Sequence, residues 1–354
     1  MKAAVYREAG KPLVLETLPD PVPGPEDVII KVHRCGICGT DLHMTEGHQW
    51  QFSPGTVPGH EYSGEIVEVG ANVTGFRTGD LITALPSTGC GNCEACHHGN
   101  LALCHNAPGV MGGYAEMMRI PASVAIKLPA TLSAADGALI EPLAVGLYGV
   151  RMSCVQPGDR VLVMGAGAVA LCTIYWARRL GAGRIVATSR SARRQALALE
   201  MGADAFVHCG ENESDGIIAA LGGQPDIVFE CVGTPGFLMK GIQHARTLGK
   251  VVSMGFCTSP DQVVPAVAGY KGVSLQFPVG YALKDFHYVA DVMDAGHVDP
   301  KMLISSVVTL DELPTVFEQL RGPNNETKVQ VAPLALQERL GSRPQAWAAT
   351  IPAG

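Results

Sequence analysis

The sequence predicts a two-part α/β protein, a mostly-β domain joined to a doubly wound parallel sheet, on three observations. Its 354 residues exceed what one ordinary core organises. Residues 1–140 are rich in Gly and Pro and carry short β-like runs separated by turn signals, among them "DVIIKVHRC", "GEIVEVG" and "GDLITALP". From about residue 158 the texture changes to β-branched runs alternating with helical patterns, which demands a parallel sheet with helices on both faces.

The elements follow in order. In the second part the strands are "RVLVM", "RIVAT", "AFVHC", "DIVFECVG" and "KVVSMGF", and the helices include "SARRQALALEMGA" and "TPGFLMKGIQHARTLG". After about 280 the alternation stops. "KDFHYVADVMDAG" reads as a helix, "ISSVVTLDELPTVFEQL" as a strand and helix, and "TKVQVAP" as a last strand, together completing the first domain. The expected boundaries are 1–145, with a cysteine lobe at about 88–106, then 146–280, a return over 281–335, and a C-terminal extension over 336–354.

Composition narrows the function classes. Hydrophobic content of 47% with 17% charged residues fits a globular protein with a large core. A net charge of −7 leaves no basic footprint for nucleic acid. The longest apolar run, "VLVMGAGAVALCTIYWA", is short for a membrane span and is interrupted by glycines, so a strand, a turn and a buried helix explain it better. The N-terminus lacks the apolar core of a secretion signal. Eleven cysteines, an odd count, argue against a disulfide framework and for a reducing, cytoplasmic setting.

Two cysteine-bearing patterns point to metal. "CGNCEACHHGNLALC" sets Cys90, Cys93, Cys96 and Cys104 at C-x2-C-x2-C-x7-C, the donor set of a closed structural Zn2+ site; an Fe–S cluster is the competing reading. "CGICGTDLH", "PGHEYSGEIVEVG" and "IEPLAVG" supply Cys38, His60, Glu61 and Glu141 beside turn-forming glycines. A thiolate, an imidazole and a carboxylate with one open position suit a catalytic Zn2+. A redox C-x-x-C reading of Cys35 and Cys38 lacks the surrounding βαβ pattern.

"VLVMGAGAVALCTIYWARRLGA" carries Gly165, Gly167 and Ala170 as G-x-G-x-x-A between a strand and a helix. The first glycine makes the turn and the second lets backbone amides reach a pyrophosphate at the helix N-terminus. An Asp or Glu on the ribose is expected about two dozen residues later, at the end of "RIVAT". The sequence has Thr188 and Ser189 there, then Arg190, Arg193 and Arg194. Loss of the repelling carboxylate, followed by guanidinium groups, predicts NADP(H), with NAD(H) as the alternative.

Together these motifs resemble the zinc-containing medium-chain alcohol dehydrogenases over residues 1 to about 333, and the "EPLAVG" form resembles the polyol, threonine and butanediol branch. The resemblance implies a GroES-like catalytic domain and a Rossmann coenzyme domain, with one catalytic and one structural zinc per chain. It gives Cys38 and His60 as zinc ligands, with Glu61 and Glu141 competing for the third position. Thr40 takes the alcohol proton, His43 passes it towards solvent, and zinc acts as the Lewis acid. Besides Gly165, Gly167, Ala168, Val169, Ser189, Arg190 and Arg194, the cofactor is expected to meet Cys231, Val232 and Gly233 of "FECVGT" and Met254 and Gly255 of "VVSMGF".

The implied activity is hydride transfer between a small alcohol, secondary and rather apolar, and NADP(H), in a homodimer or homotetramer. A polyol- or threonine-type NAD-dependent dehydrogenase is the alternative. A catalytically inactive binding protein on the same fold is another, against which the retained Cys38, Thr40, His43 and His60 speak. Met44 stands where the polyol branch has Tyr, and Leu275 and Gln276 where it has Arg and Tyr. Met44, Trp50, Phe52 and Leu275 are therefore expected to give an apolar substrate surface. The extension, with Trp347, is a candidate for docking on its own or a neighbouring subunit.

Overall fold

A computed structural model describes residues 1–334 except 49, 108 and 298; the 336–354 extension lies outside the described residues. Two large sheets organise the described residues, beside a two-stranded one of Lys2–Val5 and Val14–Thr17. One is six-stranded and all parallel, in the order Ala205–His208, Arg184–Ser189, Arg160–Met164, Ile227–Glu230, Lys250–Ser253, Ser274–Gln276. Strand order reverses between Arg160–Met164 and Ile227–Glu230, so a crevice opens where Gly165 and Cys231 leave their strands.

Burial on both faces explains why these strands read as continuous apolar runs rather than alternating ones. Val161 and Val163 enter one core with Leu143, Cys172, Trp176 and Phe229. Leu162 and Met164 enter a second, with Val186, Ile217, Val228, Ile242 and Val251. The period of two is present, but it divides two apolar faces.

The seven-stranded sheet runs Ile304–Thr309, Lys328–Ala332, Asp27–Gly36, Glu61–Val69, Leu81–Ala84, Ala125–Lys127, with Met117–Pro121 also paired to Asp27–Gly36. The chain thus returns to its first sheet. Lys328–Ala332 pairs antiparallel with the end of Asp27–Gly36, placing Gln330 opposite Gly36. Helix Ile140–Ser153 packs between the sheets: Trp176 donates Nε1–H to Leu143 O at 2.8 Å, and a Cβ on Gly146 would lie 2.8 Å from the Cys172 backbone carbon. Small residues here let two helices approach closely.

Candidate active site and metal centres

Cys38 ends the turn after strand Asp27–Gly36 and N-caps the short helix Gly39–His43, its Sγ accepting from the Thr40 amide at 3.4 Å. Asp41 completes the capping box by accepting from Cys38 N–H at 3.2 Å. The same carboxylate, fully buried, takes the Tyr114 hydroxyl at 2.7 Å and lies 3.1 Å from His60 Nδ1. That bond fixes the imidazole and leaves Nε2 for an ion. Burial disfavours a charged His60, but Asp41 and Cys38 outweigh it and hold the imidazole well above its usual value.

Cys38, His60 and Glu61 present their ligand atoms within 4.8 Å of one another. Two glycines make this possible. Gly59, at φ +92°, permits the turn into His60, and a Cβ there would meet the Tyr114 ring at 2.7 Å. A Cβ on Gly36 would stand 1.9 Å from Glu61 Oε2. Glu61 is also held by Lys328 Nζ, at 2.6 and 2.7 Å from its two oxygens, with both residues buried. Burial works against the ammonium, but Glu61 and Cys38 overcome it and raise the Lys328 pKa. Glu141, near the start of Ile140–Ser153, accepts the Tyr281 hydroxyl. Burial pushes its pKa up to about 7 against the pull of nearby His60. The four sequence-predicted residues thus converge, with Glu61 inside the close group and Glu141 beside it.

Thr40 is half-buried on the same helix, and His43 at its end has a 40% exposed side chain. Of the residues expected to make an apolar substrate surface, two belong elsewhere. Leu275 packs into the second core of the six-stranded sheet, and Phe52 is buried against Tyr6. Their apolar character serves the core. Met44 is half-buried and Trp50 is exposed.

In the lobe, Cys90, Cys93, Cys96 and Cys104 also bring their sulfurs within 4.8 Å, and all eleven cysteines are free thiols. The Asn92 amide, chiefly, lowers Cys90 to about 6. For Cys93 the Cys96 amide pulls down, but the neighbouring thiols and burial outweigh it and raise the pKa to about 11. Four sulfurs gathered in this way are the donor set of a closed tetrahedral Zn2+ site. The lobe docks on the segment before Tyr281: Asn100 Nδ2 donates to Val279 O at 2.9 Å and approaches Tyr148 Oη at 3.3 Å.

At the crevice, Gly165 has φ +112° and Gly167 N-caps helix Ala168–Arg179. A Cβ on Gly167 would meet nothing within 4 Å, and no side chain caps this helix start, so its first turn is left for a pyrophosphate to approach. Ala168 and Val169 are half-buried beside it. Cys231, Val232 and Gly233 line the facing strand end. Buried Glu230 accepts from the Val232 and Gly233 amides at 2.6 and 2.8 Å, and its carbonyl accepts from Met254 and Gly255. The two expected cofactor segments are thereby tied together; a Cβ on Gly255 would lie 2.2 Å from Gly233 N.

Ser189 ends its strand half-buried and Arg190 is exposed. Arg193 and Arg194 turn to the loop before the last strand, donating to the carbonyls of Asn324 and Glu326. Arg194 Nε stays buried without a partner.

Sequence reading missed Asp41, Tyr281, Lys328 and Glu230. Asp41 sits inside a quoted motif, and its position three residues after Cys38 is a capping-box signal. Glu230 likewise sits inside the quoted "FECVGT", bonded to amides two and three residues on, whereas Tyr281 and Lys328 answer carboxylates far away in sequence, which no local spacing announces.

Comparison with known proteins gives the same picture. The family descriptions "Alcohol dehydrogenase GroES-like domain" and "Zinc-binding dehydrogenase" match residues 24–130 and 168–295. The sorbitol dehydrogenase of Bacillus subtilis (strain 168) is 31% identical over 347 residues, covering 94% of this chain and 97% of that protein. The (R,R)-butanediol dehydrogenase of the same organism is 31% identical over 355 residues, covering 94% and 100%. A zinc-binding-dehydrogenase structure from Sinorhizobium meliloti 1021, solved with NADP bound, superposes with a TM-score of 0.86 at 31% identity, covering 94% of this chain and 99% of that one. Among the described residues no helix is long and apolar enough to cross a membrane. With both sheets, the clustered ligands and relatives spanning nearly the whole chain, this protein belongs to the zinc-containing medium-chain alcohol dehydrogenases, in the branch that holds the polyol, threonine and butanediol enzymes.

Proposed function

We propose that the protein interconverts a small secondary alcohol and its ketone, with NADP(H) as the preferred hydride carrier. The observation that carries this is the convergence of Cys38, His60 and Glu61, with Glu141 adjacent. When bound, a Zn2+ would supply Lewis-acid polarisation of the substrate oxygen and a nicotinamide would supply hydride chemistry. Cys38 and His60 hold the ion, and a glutamate takes the third position. Glu61 is nearer the other two ligands, but its carboxylate is shared with Lys328, so Glu141 remains an alternative ligand. Thr40 receives the alcohol proton, and His43, exposed at the end of the same helix, carries it to solvent. The four lobe cysteines would hold a second, structural ion.

NADP is favoured because Ser189 replaces the repelling carboxylate and Arg190 follows it free in solvent. Arg194 contributes less than the sequence implies, because its guanidinium is committed to Glu326. The dehydrogenase from Sinorhizobium meliloti, solved with NADP, is in keeping with this preference. The edge strand Ser274–Gln276, with Phe277 and Val279 exposed beyond it, is the natural surface for a dimer or tetramer. Eleven cysteines without a disulfide among them suit a reducing, cytoplasmic setting.

A polyol substrate is the second reading, favoured by the buried Glu141–Tyr281 pair, which offers hydrogen-bonding groups to a neighbouring hydroxyl. Steady-state kinetics decides between them, with simple secondary alcohols, vicinal diols and sorbitol each paired with NADP+ and NAD+. Higher kcat/KM for simple secondary alcohols with NADP+ is expected. A preference for sorbitol with NAD+ would reverse both assignments.

A further inference from the structure

His43, Glu46 and His48 form a third ligand cluster, outside the two metal centres already described. Their ligand atoms lie within 4.8 Å of one another. Both imidazoles converge on one oxygen: His43 Nδ1 is 3.2 Å and His48 Nε2 3.3 Å from Glu46 Oε2. A tetrahedral Zn2+ with bonds of about 2.05 Å separates its ligands by about 3.3 Å. Two edges of that tetrahedron are therefore already in place, and the third closes by a small imidazole rotation. Arg321 Nη1, 3.3 Å from Glu46 Oε1, orients the carboxylate from its far side and opposes a cation only through that other oxygen. The three side chains are 40%, 39% and 30% exposed, so an ion can enter and keep water in its fourth position.

The cluster also stands astride the cleft. His48 Nε2 is 3.4 Å from Thr258 Oγ1, and the His43 ring centroid is 6.3 Å from that of Phe256, both on the loop after Lys250–Ser253. We propose that His43, Glu46 and His48 form an inhibitory site for a borderline divalent cation such as Zn2+, which silences the enzyme by capturing His43. An ion on His43 Nδ1 occupies the nitrogen that a proton relay needs, and an ion on His48 Nε2 removes the contact with Thr258. The kinetic consequence rests on the relay role proposed above for His43; the binding site does not.

The test is calorimetric titration of Zn2+ into the holoenzyme, already carrying its own zinc, with kcat measured on the same samples. Wild type should bind one further ion per chain and lose activity reversibly as it fills. His48→Ala should bind it at least about 100-fold more weakly, since loss of an outer partner alone costs 10–100-fold, and should keep its basal rate without inhibition. Glu46→Gln should show the same loss of binding, providing a second variant if His48→Ala misfolds. Equal binding by wild type and both variants, or a wild-type rate indifferent to the filled site, overturns the proposal. A chain without basal dehydrogenase activity would instead fail the functional proposal and leave the calorimetric comparison readable.

Discussion

The cysteine lobe draws its four clustered sulfurs from one stretch between Cys90 and Cys104, at the surface, whereas the other cluster draws on residues 38, 60 and 61, with Glu141 beside it, and is backed by Lys328. The lobe's sulfurs are brought together by local turns. The other cluster exists only when strand Asp27–Gly36, strand Glu61–Val69, helix Ile140–Ser153 and the returning strand Lys328–Ala332 are all in place. A site assembled in this way buries His60, Glu61 and Glu141, which suits chemistry, and a site wrapped by one loop suits cross-linking. The two are not isolated, because Asn100 of the lobe holds Val279, two residues before the Tyr281 that bonds Glu141.

The sharpest way to break the comparison is to exchange one ligand in each. Cys38→Ser should lower kcat about 1000-fold or more, since Lewis-acid stabilisation supplies several kcal/mol, while Tm changes little. Cys96→Ser should lower Tm strongly and, through Asn100 and Val279, raise KM more than it lowers kcat. Near-normal turnover in Cys38→Ser would end the assignment of chemistry to that cluster. The next effect concerns what tertiary assembly adds. Lys328→Met leaves Glu61 buried without its partner and should cost about 3–5 kcal/mol in urea unfolding, whereas a surface ion pair such as Lys2–Asp311 should cost about 1 kcal/mol or less.

Contiguity also explains what was readable in the sequence. The lobe, the glycine loop and the Ser189–Arg190 turn are contiguous and carry their own signals. Asp41, three residues after Cys38, carries a local capping-box signal, but its bond to His60 exists only across the fold. Lys328 and Tyr281 are single residues whose roles exist only across the fold. Leu275 and Phe52 show the opposite error, where apolar character was credited to a pocket and belongs to the core. Arg194 was grouped with Arg190 by adjacency, and a short helix turned it to Glu326.

The cofactor turn is local like the lobe but acts in binding. Charged hydrogen bonds contribute about 1.5–3 kcal/mol each, so Arg190→Ala should lower kcat/KM for NADP+ by about tenfold to a hundredfold and scarcely change that for NAD+. Ser189→Asp should move the preference towards NAD+. Equal losses for both cofactors would show that the turn does not read the ribose phosphate.

The smallest effect serves as a control remote from both clusters. Asp226 lies at the opposite end of its strand from the cofactor crevice, accepting from the Arg160 amide at 2.8 Å and from the Arg160 and Arg246 side chains. Burial opposes its charge, but these bonds win and lower its pKa to about 2. Its folded value lies below the unfolded one, about 3.9, so its contribution is complete above that pH and is lost as pH falls towards 2. Asp226→Asn should cost about 1–2 kcal/mol near neutral pH. The gap between wild type and variant should narrow only below about pH 4. A gap that closed near pH 6 would assign the effect to another group.

The most direct test of the central claim is stepwise removal of zinc by a chelator, following bound zinc, turnover and near-ultraviolet circular dichroism together. The account predicts that the ion held by fewer protein ligands leaves first, with turnover falling in proportion and the fold intact, and that the fold loosens only as the lobe's ion follows. Turnover that persists until the second ion leaves, or in a chain free of zinc, would contradict it.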